Sequence, residues 1–341
     1  MADIYGQRLK TTVNTKYLPY VVDTTLNSNV FFQRVVRGAK QWTGRTVRVP
    51  IKVSKNSTGS SFRGFDVANT AVTDNRQFME FDPSFYRITC TLPGDELSIA
   101  DAAGESAVLD LMRLTIQSDT EDMADDLGTI SYSDGTGNGS KDPLGLAALV
   151  DDGNAVATLG GLARATYTTL ASTVTASSGV LSLAKVDTLW NAVTSGNVKP
   201  TALYTTETVF SLYGQLLRPQ ERIPKEFSTI KGLKGGTGFE TLVYMGKPLF
   251  ADEKCTSGAL IMLNEDFLDF HALSQYDSKA VQYKSQIKGN DYKAPMGLGF
   301  SWSDWIKPTN ATGFVGYIYF GGQFITTNPK RNGKLTGITS V

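Results

Sequence analysis

The longest regular pattern in this 341-residue chain runs from Ala103 to Ile130, where Val108, Met112, Ile116, Met123, Leu127 and Ile130 recur at steps of three, four and seven. Such steps place side chains on one face of an α-helix. About thirty residues in that state span roughly 45 Å, the width of a whole small domain. Asp134-Gly135-Thr136-Gly137 then stops the rod, since glycine leaves a helix cheaply and Asp favours turns. Upstream, Val47, Val49, Ile51 and Val53 alternate with polar neighbours as in a strand, with Pro50 confining it to an edge. A polar stretch from Ser54 to Gln77, too long for a tight turn, leads to a return strand carrying Tyr86, Ile88, Cys90 and Leu92 on one face. Two strands so connected bury little by themselves, so the hairpin asks for a partner surface.

Other segments are shorter. Asn27-Ser28-Asn29 caps a turn of helix bearing Val30, Phe31, Val35 and Val36. Ser182 opens a helix with Val186, Leu189, Trp190 and Val193, ended by Gly196. Thr201–Thr205 reads as a strand, followed by a helix carrying Val209, Phe210, Leu212, Tyr213 and Leu216 and closed by Pro219. Gly232–Gly238 is a loose loop, Leu242–Phe250 a hairpin-like pair and Gly258–Leu263 a strand. The end is strand-rich, from Phe314 to Thr327, with a turn at Asn328-Pro329. The spine residues Met112 and Ile116 are expected to lie against a sheet formed by this last segment.

Composition sharpens the picture through charge. The chain is 41% hydrophobic and 19% charged, a globular balance, and its formal net charge is +0, which argues against a protein built to grip nucleic acid. The charge is unevenly placed. Between Met1 and Gly64 only Asp3 and Asp23 stand against a long basic series that includes Arg34, Arg37, Arg45, Arg48 and Lys52. Between Asp101 and Asp126 the sign reverses, and Asp119, Glu121, Asp122, Asp125 and Asp126 crowd the C-terminal half of the long helix. There they oppose the helix dipole at a few tenths of a kcal/mol each. Two solvated surfaces is the bland reading. The sharper one is a positive arm and hairpin lying over the negative helix of a neighbouring subunit.

Chemical motifs are scarce. With His271 as the one histidine, multi-histidine metal sites are excluded, and no nucleophile elbow accompanies it. No phosphate-binding loop motif occurs. Asp134–Gly139 resembles the first half of a calcium loop, but its twelfth place holds Gly145 where a bidentate Glu is needed, so it reads as a helix-ending turn. Cys90 and Cys255 give no disulfide framework, and Cys90 alternates with apolar neighbours as a core residue does. No apolar run reaches membrane-spanning length, and the N-terminus lacks a signal peptide's apolar stretch. No catalytic, cofactor-binding or metal residue is assigned.

The one-sided rod followed by Asp134-Gly135-Thr136-Gly137 and Pro143-Leu144-Gly145-Leu146 resembles the spine helix and following loop of tailed-phage major capsid proteins of the HK97 fold. Gly246-Lys247-Pro248-Leu249, Gly258-Ala259-Leu260-Ile261 and Asp266-Phe267 resemble a pattern of that family's axial domain. The resemblance implies an α+β chain with an N-terminal arm (1–40), an extended hairpin loop (41–97), a spine helix and following turn of the peripheral domain (98–139), an axial domain (140–263) and return strands, mainly peripheral (264–341). It implies a non-enzymatic subunit without cofactors, assembling into pentamers and hexamers of an icosahedral shell around double-stranded DNA held without sequence-specific contact. Portal and decoration proteins are implied partners, with virion location and assembly in the host cytoplasm. Because the basic arm starts almost at Met1, a cleaved scaffolding segment is not expected, and a separate scaffolding protein or none is. An encapsulin-type nanocompartment shell is the alternative, and a small-molecule enzyme with a Gly-rich loop a more distant one. In the HK97 phage itself a loop lysine bonds covalently to a neighbour's asparagine; Lys52 or Lys55 and Asn328 or Asn332 lie in comparable regions, without a local pattern that transfers the reaction.

Overall fold

A computed structural model of the chain describes residues 29–72, 74–103, 105–217, 241–273, 299–303, 305–309 and 312–341. The helical stripe from Val108 onward forms as expected: α2 (Gly94–Ala103) is followed by α3 (Glu105–Tyr132), a 28-residue rod of roughly 42 Å. Met112, Ile116, Met123, Leu127 and Ile130 are buried along one face, and Val108 is half-buried. That face rests on β4 (Ser84–Pro93), whose Cys90 and Leu92 are buried.

The pairing of β4 differs from expectation. The hairpin strand β2 (Val47–Lys52) does not pair with the Tyr86–Leu92 segment; its partner is β3 (Arg76–Phe81), which begins at the end of the polar tip and is not read as a strand from the sequence. Val47, Val49 and Ile51 stand opposite Phe81, Met79 and Gln77, an alternation that seals one face of the hairpin base. Asp82-Pro83 then breaks the chain, and β4 pairs antiparallel over its whole length with β15 (Gly313–Thr326). The aromatic-rich β15 is the longer complementary edge, so the non-local pairing wins. Also on β15 are β13 (Leu268–Ala272) and β14 (Phe300–Trp302), and β1 (Lys40–Gln41) runs parallel to β13. The spine thus lies on a sheet whose central strand is C-terminal, reached through β4.

A second sheet of six strands has the order β10 (Thr241–Tyr244), β11 (Lys247–Ala251), β9 (Ala202–Thr205), β12 (Leu260–Leu263), β16 (Gly333–Leu335), β7 (Thr173–Thr175). Both of its faces are covered, so β9 and β12 are buried throughout. Leu203, Leu249, Leu260 and Met262 face α6 (Leu183–Val193) and α7 (Glu207–Leu217), while Tyr204, Phe250, Ile261 and Leu263 face the spine-side core. Ser182 precedes α6 but makes no side-chain cap bond. Gly232–Gly238 and Pro219 lie outside the described residues.

One helix joins the two halves. The short α1 (Val30–Arg37) forms where expected, yet it is packed inside its own chain, with Phe31, Phe32 and Val36 fully buried. The Phe31 ring lies 5.6 Å from Tyr132 of the spine, 5.5 Å from Tyr204 of β9 and 5.9 Å from Phe324 of β15. Asn29, expected as a cap, instead donates its side-chain amide to the Ala124 carbonyl at 3.1 Å. Gly128 permits this, since a Cβ there would come within 2.3 Å of that amide nitrogen. At the spine's end, a Cβ on Gly145 would meet the carbonyl oxygens of Ile130, Ser131 and Ser133 at 2.5–2.7 Å, so the following loop turns back against the helix terminus only with glycine there.

Candidate intersubunit surfaces

The residues singled out by charge divide into those with partners in their own chain and those without. Arg34 projects from α1 to Glu265, with Nε–Oε1 and Nη2–Oε2 distances of 2.7 and 2.6 Å, and its guanidinium lies 5.1 Å from the centre of the Phe250 ring. Tyr204 donates its hydroxyl to the same carboxylate at 2.6 Å. Burial works against the Glu265 charge, but Arg34 and the hydroxyls of Tyr204 and Thr201 outweigh it and hold the carboxyl below its ordinary value. Arg34 therefore serves the subunit's own core. Among the acids, Asp125 pairs with Lys254, Asp126 accepts from the Tyr86 hydroxyl, and Asp119 turns inward to the Cys90 thiol.

The remainder faces solvent. Arg45 and Lys52 on the hairpin are exposed, and Arg48 forms an exposed pair with Glu80 across the strands at 2.8 Å. Glu121 and Asp122 are exposed on the spine, and among the described residues no ion pair joins hairpin to spine. The side chain of Arg37 lies outside the described residues. At the hairpin tip Phe62, Phe65, Val67 and Val72 are 81%, 106%, 95% and 99% exposed. Such a run of bare apolar side chains marks an association surface. Hydrogen bonds in the tip include the local ones from Arg63 N–H to Asp66 at 2.8 Å and from Ala71 N–H to Asn69 at 3.0 Å. Sequence reasoning saw the tip as polar and missed these four residues, because they are spaced without a period.

An open groove of about 650 Å³ lies between the β3–β4 turn, the loop after the spine and the small hairpin of β5 (Thr158–Leu159) and β6 (Leu162–Ala163). Its rim carries Glu80, Asp82, Asp134 and Asp142 against Lys141, so it is acidic. Asp134 is engaged in its own turn, accepting from the Thr136 N–H at 3.0 Å and hydroxyl at 2.7 Å, which lower its carboxyl below the ordinary value. Among the described residues no three acidic, His or Cys side chains are grouped to hold a metal ion. His271 is half-buried on β13 beside Trp42, and burial lowers its pKa. Asn332 is fully buried, its side-chain oxygen accepting from the Asn264 N–H at 2.9 Å, while Lys52 is exposed.

No family model matches the chain, and no curated protein matches it. Solved structures do. The capsid asymmetric unit of cyanophage A-1(L) superposes over 91% of this chain and 93% of its own, with a TM-score of 0.66 at 15% identity. The chain has the HK97-like shell fold. A similar likeness holds for the holo-SrpI encapsulin complex of Synechococcus elongatus PCC 7942, with a TM-score of 0.58, 11% identity and coverage of 90% and 86%. The capsid of a native GTA particle gives 0.51 at 11% identity over 92% and 91%. No helix among the described residues is long and apolar enough to cross a membrane.

Proposed function

We propose that this chain is a major capsid protein, a non-enzymatic subunit that assembles into the icosahedral head of a tailed phage around double-stranded DNA. The observation that carries the reading is the hairpin tip: four almost fully exposed apolar side chains on an arm borne by a shell fold. A closed shell needs several distinct interfaces per subunit, and such a protrusion supplies one. In this reading the tip packs on a neighbour, with Arg45, Arg48 and Lys52 set near the neighbour's Glu121 and Asp122. Arg37 remains a candidate for the same surface, whereas Arg34, Asp119, Asp125 and Asp126 already have partners in their own chain. Region limits of 1–40, 41–97, 98–139, 140–263 and 264–341 are proposed, with 30–37 tied into the core. Portal, decoration and separate scaffolding proteins are the partners this role calls for.

Negative-stain electron microscopy of the purified chain, alone and with a candidate scaffold, tests the proposal. Hollow particles or pentameric and hexameric capsomers are expected, and a strict monomer at high concentration under both conditions overturns it. The likeness to an encapsulin supports a second reading, a protein-filled compartment. Nuclease-protected DNA in particles isolated from their native source separates the two.

A further inference from the structure

The spine and the sheet beneath it meet at a pair of groups that the shell reading does not use. Asp119 lies at the edge of the spine's buried face, half-buried, and one of its carboxyl oxygens, Oδ2, is shut off from water with no hydrogen-bond partner. Facing it from β4 is the Cys90 thiol, fully buried, a weak donor. On its own helix Asp122, one turn further on, adds a like charge. Behind Cys90, on β15, stands Gly316, against which the rings of Trp302 and Trp305 pack. The Trp305 indole N–H is likewise buried without an acceptor, so it gives the carboxylate no support. Among the described residues no lysine or arginine pairs with Asp119. A buried carboxylate oxygen without a donor is costly when charged and much less so when neutral.

We propose that Asp119, packed beside Cys90 with one carboxyl oxygen buried and unpartnered, is a proton-sensitive joint between the spine helix and the β-sheet, whose packing is more stable when Asp119 holds a proton. Burial, the largest effect, and the charge of Asp122 both push the Asp119 carboxyl above its ordinary value, against a smaller opposing effect of the Cys90 thiol. The sign follows from linkage. A carboxyl whose folded pKa lies above its unfolded one of 3.8 contributes stability that is complete below the unfolded value and is lost as pH rises through the folded value. Most paired carboxylates, Glu265 among them, act in the opposite sense.

The test is thermal melting of the full chain, at one concentration and salt, from pH 4 to pH 8, for wild type, Asp119→Asn, Asp122→Asn and the double variant. Asp119→Asn is expected to melt higher than wild type at pH 8, by about 2 °C or more for a chain of this size. The gap should shrink as pH falls toward 4 and the wild-type acid takes up its proton. In an Asp122→Asn background, which lacks the like charge, the gap at pH 8 should be smaller and should close at a lower pH, because the Asp119 carboxyl then holds its proton less tightly. A carboxyl stretching band of a protonated acid that grows as pH falls from 8 to 4 in wild type and is missing from Asp119→Asn would be the spectroscopic signature. Equal or lower melting of Asp119→Asn at pH 8, including failure to fold, overturns the proposal, as does a gap that does not change with pH. Both results stand whether or not the chain assembles, so they are separable from the shell reading.

Discussion

Arg164 shows most plainly how a single residue holds this chain together. Its side chain is fully buried and donates to three backbone carbonyls: Leu170 at 3.1 Å, Val156 at 2.7 Å and Ala148 at 2.5 Å. Asp151 lies 3.6 Å away and is also bonded by the N–H groups of Gly153 and Val156, both at 2.9 Å, and approached by Lys334 of β16 at 3.5 Å. Burial opposes the Asp151 charge, but these donors and cations together hold the carboxyl below its ordinary value. The planar five-donor fork of arginine suits three acceptors at once, and lysine does not reproduce it. Arg164→Ala removes one of the two cations beside the buried Asp151 and leaves three carbonyls without their donor, a loss of about 3 kcal/mol. The urea midpoint should fall by a corresponding margin, and Arg164→Lys should recover only part of it; an unchanged midpoint for the alanine variant would show the network to be inert.

The hairpin is the element whose behaviour depends most on what lies outside the subunit. Its base is anchored, with Met79 and Phe81 buried and Ile51 nearly so. Its tip contains local turns and leaves Phe62, Phe65, Val67 and Val72 exposed. Changing Phe62 and Phe65 together to Ser should therefore leave the unfolding free energy of unassembled subunits within about 0.5 kcal/mol of wild type, as exposed substitutions do. Assembly should suffer, since each aromatic that enters an interface buries an area worth roughly 1.5–3 kcal/mol. Light scattering against concentration measures it, and an unchanged critical concentration would mean that the tip stays in solvent.

At the scale of the whole molecule, the residual charges are the levers. Glu121 and Asp122 are exposed acids without an ion pair among the described residues, and Arg45 and Lys52 are exposed bases in the same position. Each exposed pair across subunits is worth at most about 1 kcal/mol, but a closed shell repeats it at every equivalent contact. Reversing Glu121 and Asp122 to Lys should spare the fold and impair shell formation, and reversing Arg45 and Lys52 to Glu in the same chain should restore part of it. Shells of the unaltered chain should also loosen as salt rises, because exposed pairs are screened. Particle counts at low and high salt check both statements; a double reversal that assembles normally at low salt would mark the acids as a solvated face.

The one-dimensional pattern was sufficient for the existence and type of many elements, whatever they pack against. The stripe from Met112 to Ile130, the helices at Val30–Arg37 and Leu183–Val193, and the apolar strands at Ala202 and Leu260 were all legible, because period and turn chemistry are local properties of the chain. Fold class followed from their order. Strand partners did not. Ser84–Pro93 carries the alternation of a hairpin return, yet pairs with a strand more than two hundred residues on, since alternation specifies a face and says nothing about which edge will fill it. The fate of individual charges was equally hidden. Arg34 and Arg45 look alike in a basic segment, but one meets Glu265 at 2.6 Å and the other meets solvent. Nor does any spacing announce Arg164 or the Asp119–Cys90 contact. Sequence determined which segments would be helix, strand and spine; only the tertiary packing, through burial and long-range proximity, decided which polar groups are structural, which are left facing out, and which titrate.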